Sequence, residues 1–352
     1  MDESWFEAVL AGDLDRVLEH LRGGTEVDAK GRCDETALHI ATRARHLDVI
    51  RALLEHGADA NARARNDWTP ITVAVAPYRS RFPAGPDPRI LDLLKAAGGR
   101  LGLREAVVMG DVELARRLCD DDPALDVSGN ARFCFAETYL MLATQRRDRE
   151  MVRFLLDRGA DVERTDDLGA TPLMRAAAAG DPEVFRLILG RGADIDHDDW
   201  SDQTPLSVAA THGHAGIVEE LLALGAARGL LDAVALDDVD LVAELLHAGG
   251  DPNHVYYGYG RLAGYGASRG NLDIIQLLLI HGAVHHDGRF DARPLIADAA
   301  RRGHLDAARL LLEHGADPDE VGKDGLTPSA WAAKGGHPSI AAFLDGLPRG
   351  PA

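Results

Sequence analysis

The chain has little of several things, and each scarcity removes a class of explanation. Cysteine occurs three times, at Cys33, Cys119 and Cys134. An odd, scattered set excludes a disulfide framework and reads as reduced thiols in a cytoplasmic protein. Aromatic residues make up only 5% of the sequence, so a cluster of them carries information. Lysine is confined to Lys30, Lys95, Lys323 and Lys334 among many arginines, a bias that points to a GC-rich bacterial genome. No run approaches the ~18 apolar residues of a membrane helix. The opening MDESWFEAVLAG has no apolar core of signal-peptide length. Basic charge is outweighed: 38 Lys and Arg against 57 Asp and Glu leave a net charge of −19. That argues against nucleic acid, whose phosphates need a basic surface. It suits a basic partner, and acidic charge also keeps a long chain in solution. There is no G-x-S-x-G, H-E-x-x-H, paired C-x-x-C or phosphate loop. No cofactor or metal is therefore expected, and any site has to be assembled from residues distant in sequence.

What is present is repetition. In Thr204–Ala226, Thr-Pro opens a helix, because proline is tolerated at the first helical position. Leu206, Val208, Ala209 and Ala210 make that helix short and apolar. Gly213-His214 turns the chain. Ile217, Val218, Leu221 and Leu222 then form one apolar face of a second helix, which Gly225 stops. Such a unit cannot bury its own face. Copies open at Thr36-Ala37-Leu38-His39, Thr69-Pro70, Thr171-Pro172-Leu173 and Thr327-Pro328. Second helices end alike, in LLEHGAD at Leu53–Asp59 and Leu311–Asp317 and LLDRGAD at Leu155–Asp161.

A period of about 33 residues with T-P-L-H-x-A is the ankyrin signature, and the chain resembles the ankyrin-repeat family over almost its whole length. The resemblance implies an all-α solenoid of about eleven stacked helix pairs with short hairpin-like fingers. The pairs begin near Ser4, Glu35, Thr69, Leu101, Thr138, Thr171, Thr204, Gly229, Arg261, Pro294 and Thr327. One continuous array over 1–347 is expected, with a frayed tail at 348–352. Three repeats lack the Thr-Pro turn and share another motif, beginning EAV at Glu7 and Glu105 and DAV at Asp232. They divide the array into blocks of about 1–100, 101–227 and 228–347, whose junctions have shortened fingers. Junctions so short are expected to stack rather than hinge. Two insertions break the period: Pro77–Arg89, whose four prolines are expected to forbid helix and which carries Arg79, Arg81 and Arg89, and the long finger Asp126–Glu137.

Histidine is the most useful probe for a site. Most of the 15 have repeat explanations: His39 in T-P-L-H, His46, His214, His304 and His337 at helix–helix turns, and His20, His56, His247, His281 and His314 at second-helix ends. His197, His212, His254, His285 and His286 remain. The ninth finger departs furthest from the family pattern. Tyr256, Tyr257 and Tyr259 replace its turn residues, and Arg261-Leu262-Ala263-Gly264 replaces Thr-Pro-Leu-His. Placed by repeat, Trp200, His197, His212, His254, Tyr257, Tyr259, Tyr265, Arg269 and Phe290 share the concave face of fingers and first helices. Arg65, Trp68, Arg146 and Arg175 lie earlier on it. Exposed Trp, Tyr and Arg are the residues of binding hot spots.

Three readings compete for this cluster: packing of the tyrosines on one another, a binding surface, or a pocket. In the pocket, His197, His212, His254, Tyr257 or Tyr259 would move protons while Arg261 or Arg269 holds an anion. Zinc on His197, His254 and Asp199 is a weaker fourth option. The favoured expectation is a monomeric, cytoplasmic recognition scaffold that binds a protein or peptide partner through repeats six to ten. The alternative is an enzyme or small-molecule-binding protein using the same face.

Overall fold

A computed structural model describes residues 3–75, 87–129, 137–256, 260–284, 294–322 and 324–347. Residues 77–86 of the first insertion, 130–136 of the long finger, Tyr257, Tyr259, His285, His286, Phe290 and the tail 348–352 lie outside these. The described residues form twenty-two α-helices in eleven consecutive pairs, as the repeat register requires. One difference concerns the first insertion. Its last proline, Pro88, does not resist helix but starts one, Pro88–Ala96, with Asp87 as N-cap. Proline's missing N–H has no partner at that position in any case.

Contacts group the chain into two compact units, Met1–Asp167 with Arg186–Gly192, and Leu168–Phe185 with Ala193–Ala352. Within each unit, first helices pack on first helices and second helices on second helices. The first helices are short and rich in alanine, as in Pro172–Ala179, PLMRAAAA. Small side chains let neighbouring backbones approach. Leu38, Ala41, Ile50 and Leu53 are fully buried in the first unit, and Ala263, Ala267, Ile274 and Leu278 in the second. Each large apolar side chain so buried contributes about 1.5–3 kcal/mol.

The two finger-poor repeats stack on both sides within their own units. Leu103–Met109 packs on Pro70–Val75 and Tyr139–Gln145. Leu230–Ala235 packs on Pro205–Thr211 and Leu262–Arg269.

Polar ties run between repeats at three places. At the finger base, Asn61 Oδ1 accepts the Arg100 N–H at 2.9 Å while its Nδ2 donates to Gly98. Asn253 makes the equivalent bonds to Val284 and Gly282. At the helix–helix turn, an N-cap Asp such as Asp111 caps its own second helix. An N-cap His instead reaches the preceding repeat. His46 Nε2 donates to Leu10, His214 to Ala178 and His304 to Ser268. Each ring lies over a glycine of that repeat. At Gly180, with φ of +71°, a Cβ would stand 2.2 Å from the His214 ring. The C-terminal histidines of second helices are also held: His56, His247, His281 and His314 donate Nδ1–H to the carbonyl four residues back.

The third tie is at the start of the first helix. His39 is fully buried. Its Nδ1 accepts the Thr36 N–H at 3.2 Å, and its Nε2 donates to the Trp68 carbonyl at 3.0 Å. Burial pushes its pKa below the ordinary 6.5, so the ring stays neutral in the folded chain. The stability this adds is full above about 6.5 and is lost on acidification, because the unfolded chain takes up a proton that the folded one refuses. His39→Ala should cost about 1–3 kcal/mol in urea unfolding, since it orphans buried backbone groups. Its stability should also fall less steeply than that of the parent between about pH 7 and 5. An unchanged midpoint and slope would contradict this assignment.

Candidate functional site

The finger of repeat seven, DIDHDDWSD from Asp194, is closed by its own acid. Asp199 Oδ1 accepts the N–H groups of Ser201 and Gln203 at 2.8 and 3.0 Å, the local bond that suits Asp to turns. The turn leaves Trp200 at the tip, 78% exposed. It is nonetheless seated. Its N–H donates to the Leu168 carbonyl at 3.1 Å, and its ring lies against Gly169, where a Cβ would be 2.8 Å away. His197 Nε2 donates to the Gly169 carbonyl at 3.0 Å. His197 is therefore a strut under the tip. Asp194, Asp196, Asp198 and Asp202 of the same finger are exposed.

Repeat eight has no finger. Buried Asp232, in the first turn of Leu230–Ala235, accepts the Gly229 N–H at 2.6 Å and the Thr204 hydroxyl at 3.1 Å. Burial raises its carboxyl pKa, and these bonds oppose the shift. Across this repeat, His254 Nε2 meets Asp202 Oδ2 at 2.8 Å, linking the fingers of repeats seven and nine. The ninth finger is a small antiparallel hairpin, with Val255 opposite Arg261 and Tyr256 opposite Gly260. Arg261 donates to the Val284 carbonyl at 3.4 Å. Arg269 lies at the other end of the helix that Arg261 caps, about 12 Å along its axis. There it pairs with Asp237 at 2.5 Å and sits over the Tyr265 ring, 5.8 Å from its centroid. The hydrogen bond that Arg269 donates to Asp237 raises the Arg269 pKa.

The structure thus brings together Trp200 with His197, His254 with Asp202, and Arg269 with Tyr265. Among the described histidines, His197, His212 and His254 each hold a different partner. His212 is exposed and its Nδ1 donates back to Val208 at 2.9 Å. Arg175 is half-buried on the first helix of repeat six. Among the described residues no three His, Cys, Asp or Glu side chains gather as metal ligands. In the first unit, Arg65 and Arg146 are exposed, while Trp68 is half-buried and its carbonyl receives the His39 bond.

Sequence reasoning missed a cleft of 630 Å³ at the other internal repeat without a finger, the fourth, whose lining includes Arg63, Arg100, Arg104, Glu105 and Tyr139. Glu105, 6% exposed, accepts the Thr72 hydroxyl at 2.5 Å and the Gly102 N–H at 2.8 Å. Burial raises the Tyr139 pKa, so that the phenol stays neutral. The sequence signal for the cleft is the shortened finger before Leu101, together with the EAV motif it shares with Asp232.

The ankyrin repeat model (three copies) matches residues 5–79 and, in overlapping windows, 103–346. The chain belongs to the ankyrin-repeat family. It is similar to the putative ankyrin repeat protein YahD of Escherichia coli strain K12, 27% identical over 176 residues, which are 47% of this chain and 84% of that one. It is also similar to L-asparaginase of Dirofilaria immitis, 25% identical over 167 residues, 46% of this chain. The match spans only 27% of that enzyme's length. The crystal structure of the human ASB11 ankyrin repeat domain aligns with 71% of this chain and all of that domain, at 21% identity and a TM-score of 0.37. Ankyrin repeats are in general protein-interaction scaffolds.

The His254–Asp202 pair is largely in solvent, 39% and 59% exposed. His254→Ala, Asp202→Ala and the double variant should give a coupling within about 0.2–1 kcal/mol in thermal unfolding. A coupling of several kcal/mol would make the pair a structural clamp.

Proposed function

We propose that the chain is a recognition scaffold that binds a protein or peptide partner through the fingers and first helices of repeats six to ten. Trp200 carries this reading. A large aromatic ring held at a finger tip and 78% exposed has already lost much of the freedom that binding removes. Its neighbours choose the partner. Asp194, Asp196, Asp198 and Asp202 are exposed on the same finger, so a segment with Lys or Arg beside an apolar residue fits best. His197, His212 and His254 already hold hydrogen bonds, and Arg261 and Arg269 lie at opposite ends of one helix. This favours a recognition surface over a catalytic pocket. The free thiols of exposed Cys33 and buried Cys119 suit a reducing, cytoplasmic setting, and we take the chain as a monomer there.

Selection of peptides from a random display library against the whole chain should enrich basic sequences whose affinity falls with salt. Trp200→Ala should cost about 2 kcal/mol or more of affinity. It should change stability by less than about 0.5 kcal/mol. Tyr257→Ala, Tyr259→Ala and His254→Ala should likewise damage binding more than folding. Equal affinity for the parent and the Trp200 variant, or selected peptides with no basic bias, would sink the reading.

A further inference from the structure

We propose that the cleft at the fourth repeat binds a small phosphorylated molecule through Arg63, Arg100 and Arg104. This rests on the first unit alone and is independent of the partner-binding reading. In a chain of net charge −19, the lining of one cleft holds three arginines against two acids, Asp67 and Glu105. The arginines come from three segments: the finger of repeat three, the turn after its second helix, and the first turn of Leu103–Met109.

The fold does not require these arginines. The other internal repeat without a finger supplies the comparison. Asn61, which clamps Arg100 N–H, corresponds to Asp196, which accepts the Ala227 N–H at 2.8 Å. Glu105 corresponds to Asp232, and Gly102 to Gly229. In that register Arg63, Arg100 and Arg104 correspond to Asp198, Ala227 and Leu231. The same backbone junction is therefore built with no cation at any of the three places.

Nor are Arg63 and Arg100 fully spent on neighbours. Arg63 meets Asp67 at 3.3 Å, but both are mostly in solvent, 72% and 52% exposed. Such a pair is weak and easily exchanged. Glu105 is committed to Thr72 and Gly102. Arg104 shares the lining with the Tyr139 phenol, which burial keeps neutral. Among the described residues no carboxylate pairs with the Arg100 guanidinium. The site is also fixed in place: the two bonds of Asn61 to Gly98 and Arg100 hold the backbone of Arg100 against the finger that bears Arg63.

The ligand class follows from number and shape. One guanidinium fork saturates a planar carboxylate through its two oxygens. Three forks match a phosphate group, whose peripheral oxygens diverge. A volume of 630 Å³ is that of a small-molecule pocket, with room for the body to which the phosphate is attached.

The test is calorimetric titration of the whole chain with inorganic pyrophosphate, at ionic strength held constant with sodium chloride, and then with citrate. Saturable binding of pyrophosphate at one site is expected, with citrate much weaker. Arg100→Ala and Arg63→Ala change exposed side chains, and should each weaken binding about tenfold or more. Their unfolding temperature without ligand should match the parent. Arg228→Ala, in the corresponding junction of the other unit, should leave the affinity unchanged. No saturable binding would overturn the proposal. So would equal affinity in the Arg63 and Arg100 variants, or citrate binding as tightly as pyrophosphate.

Discussion

A first helix of about two turns cannot hold itself together in water, because nucleation takes more from the chain than so few hydrogen bonds return. In three of these helices the side chain at the third helical position ties the helix start to a neighbouring repeat. In Thr36-Ala37-Leu38-His39, a neutral imidazole does two things at once. His39 accepts its own N-cap amide and donates to the next finger's carbonyl. At Glu105 and Asp232 a carboxylate stands in the same place. It can only accept, so its second bond goes back to the hydroxyl of Thr72 or Thr204 in the preceding repeat. The polar seam persists but changes direction. That reversal lets a repeat drop its finger without losing its place in the stack.

The fold was legible because its signals are local and repeated. Thr-Pro starts, alanine-rich first helices and Gly-ended second helices each follow from side-chain chemistry within a few residues. The candidate site was legible only in part. Trp200 and the unusual ninth finger stood out as departures from the pattern, yet the roles of the histidines did not. The partner of His197 is Gly169, and that of His254 is Asp202, each a repeat or more away. Residue type alone cannot distinguish a strut from a proton donor. The apolar stripes of the finger-poor repeats show the same limit. In Val112–Asp121 the buried positions are Val112, Ala115 and Cys119, while Leu114 and Leu118 are only half-buried. The cleft was hardest to foresee, because it arises from a missing segment and is lined by arginines that look ordinary in sequence.

Charge in this chain is better described by neighbourhood than by sum. Screening confines the influence of exposed charges to about 8 Å at physiological salt. The exposed acids of the Trp200 finger and the arginines of the Arg100 cleft therefore each act on their own surroundings. The net value of −19 describes neither.

The fit of each turn imidazole over a glycine of the preceding repeat has a historical side. With His214 in place, a side chain cannot enter at Gly180, since its first carbon would overlap the ring. Losing His214 first removes that obstacle and leaves only the cost of the left-handed backbone, which Asn or Asp tolerates best. The two changes are thus not interchangeable in time. A lineage can part with the imidazole and later with the glycine, but the reverse path runs through a steric clash. The same order is imposed separately at Gly12 with His46, Gly270 with His304 and Gly303 with His337.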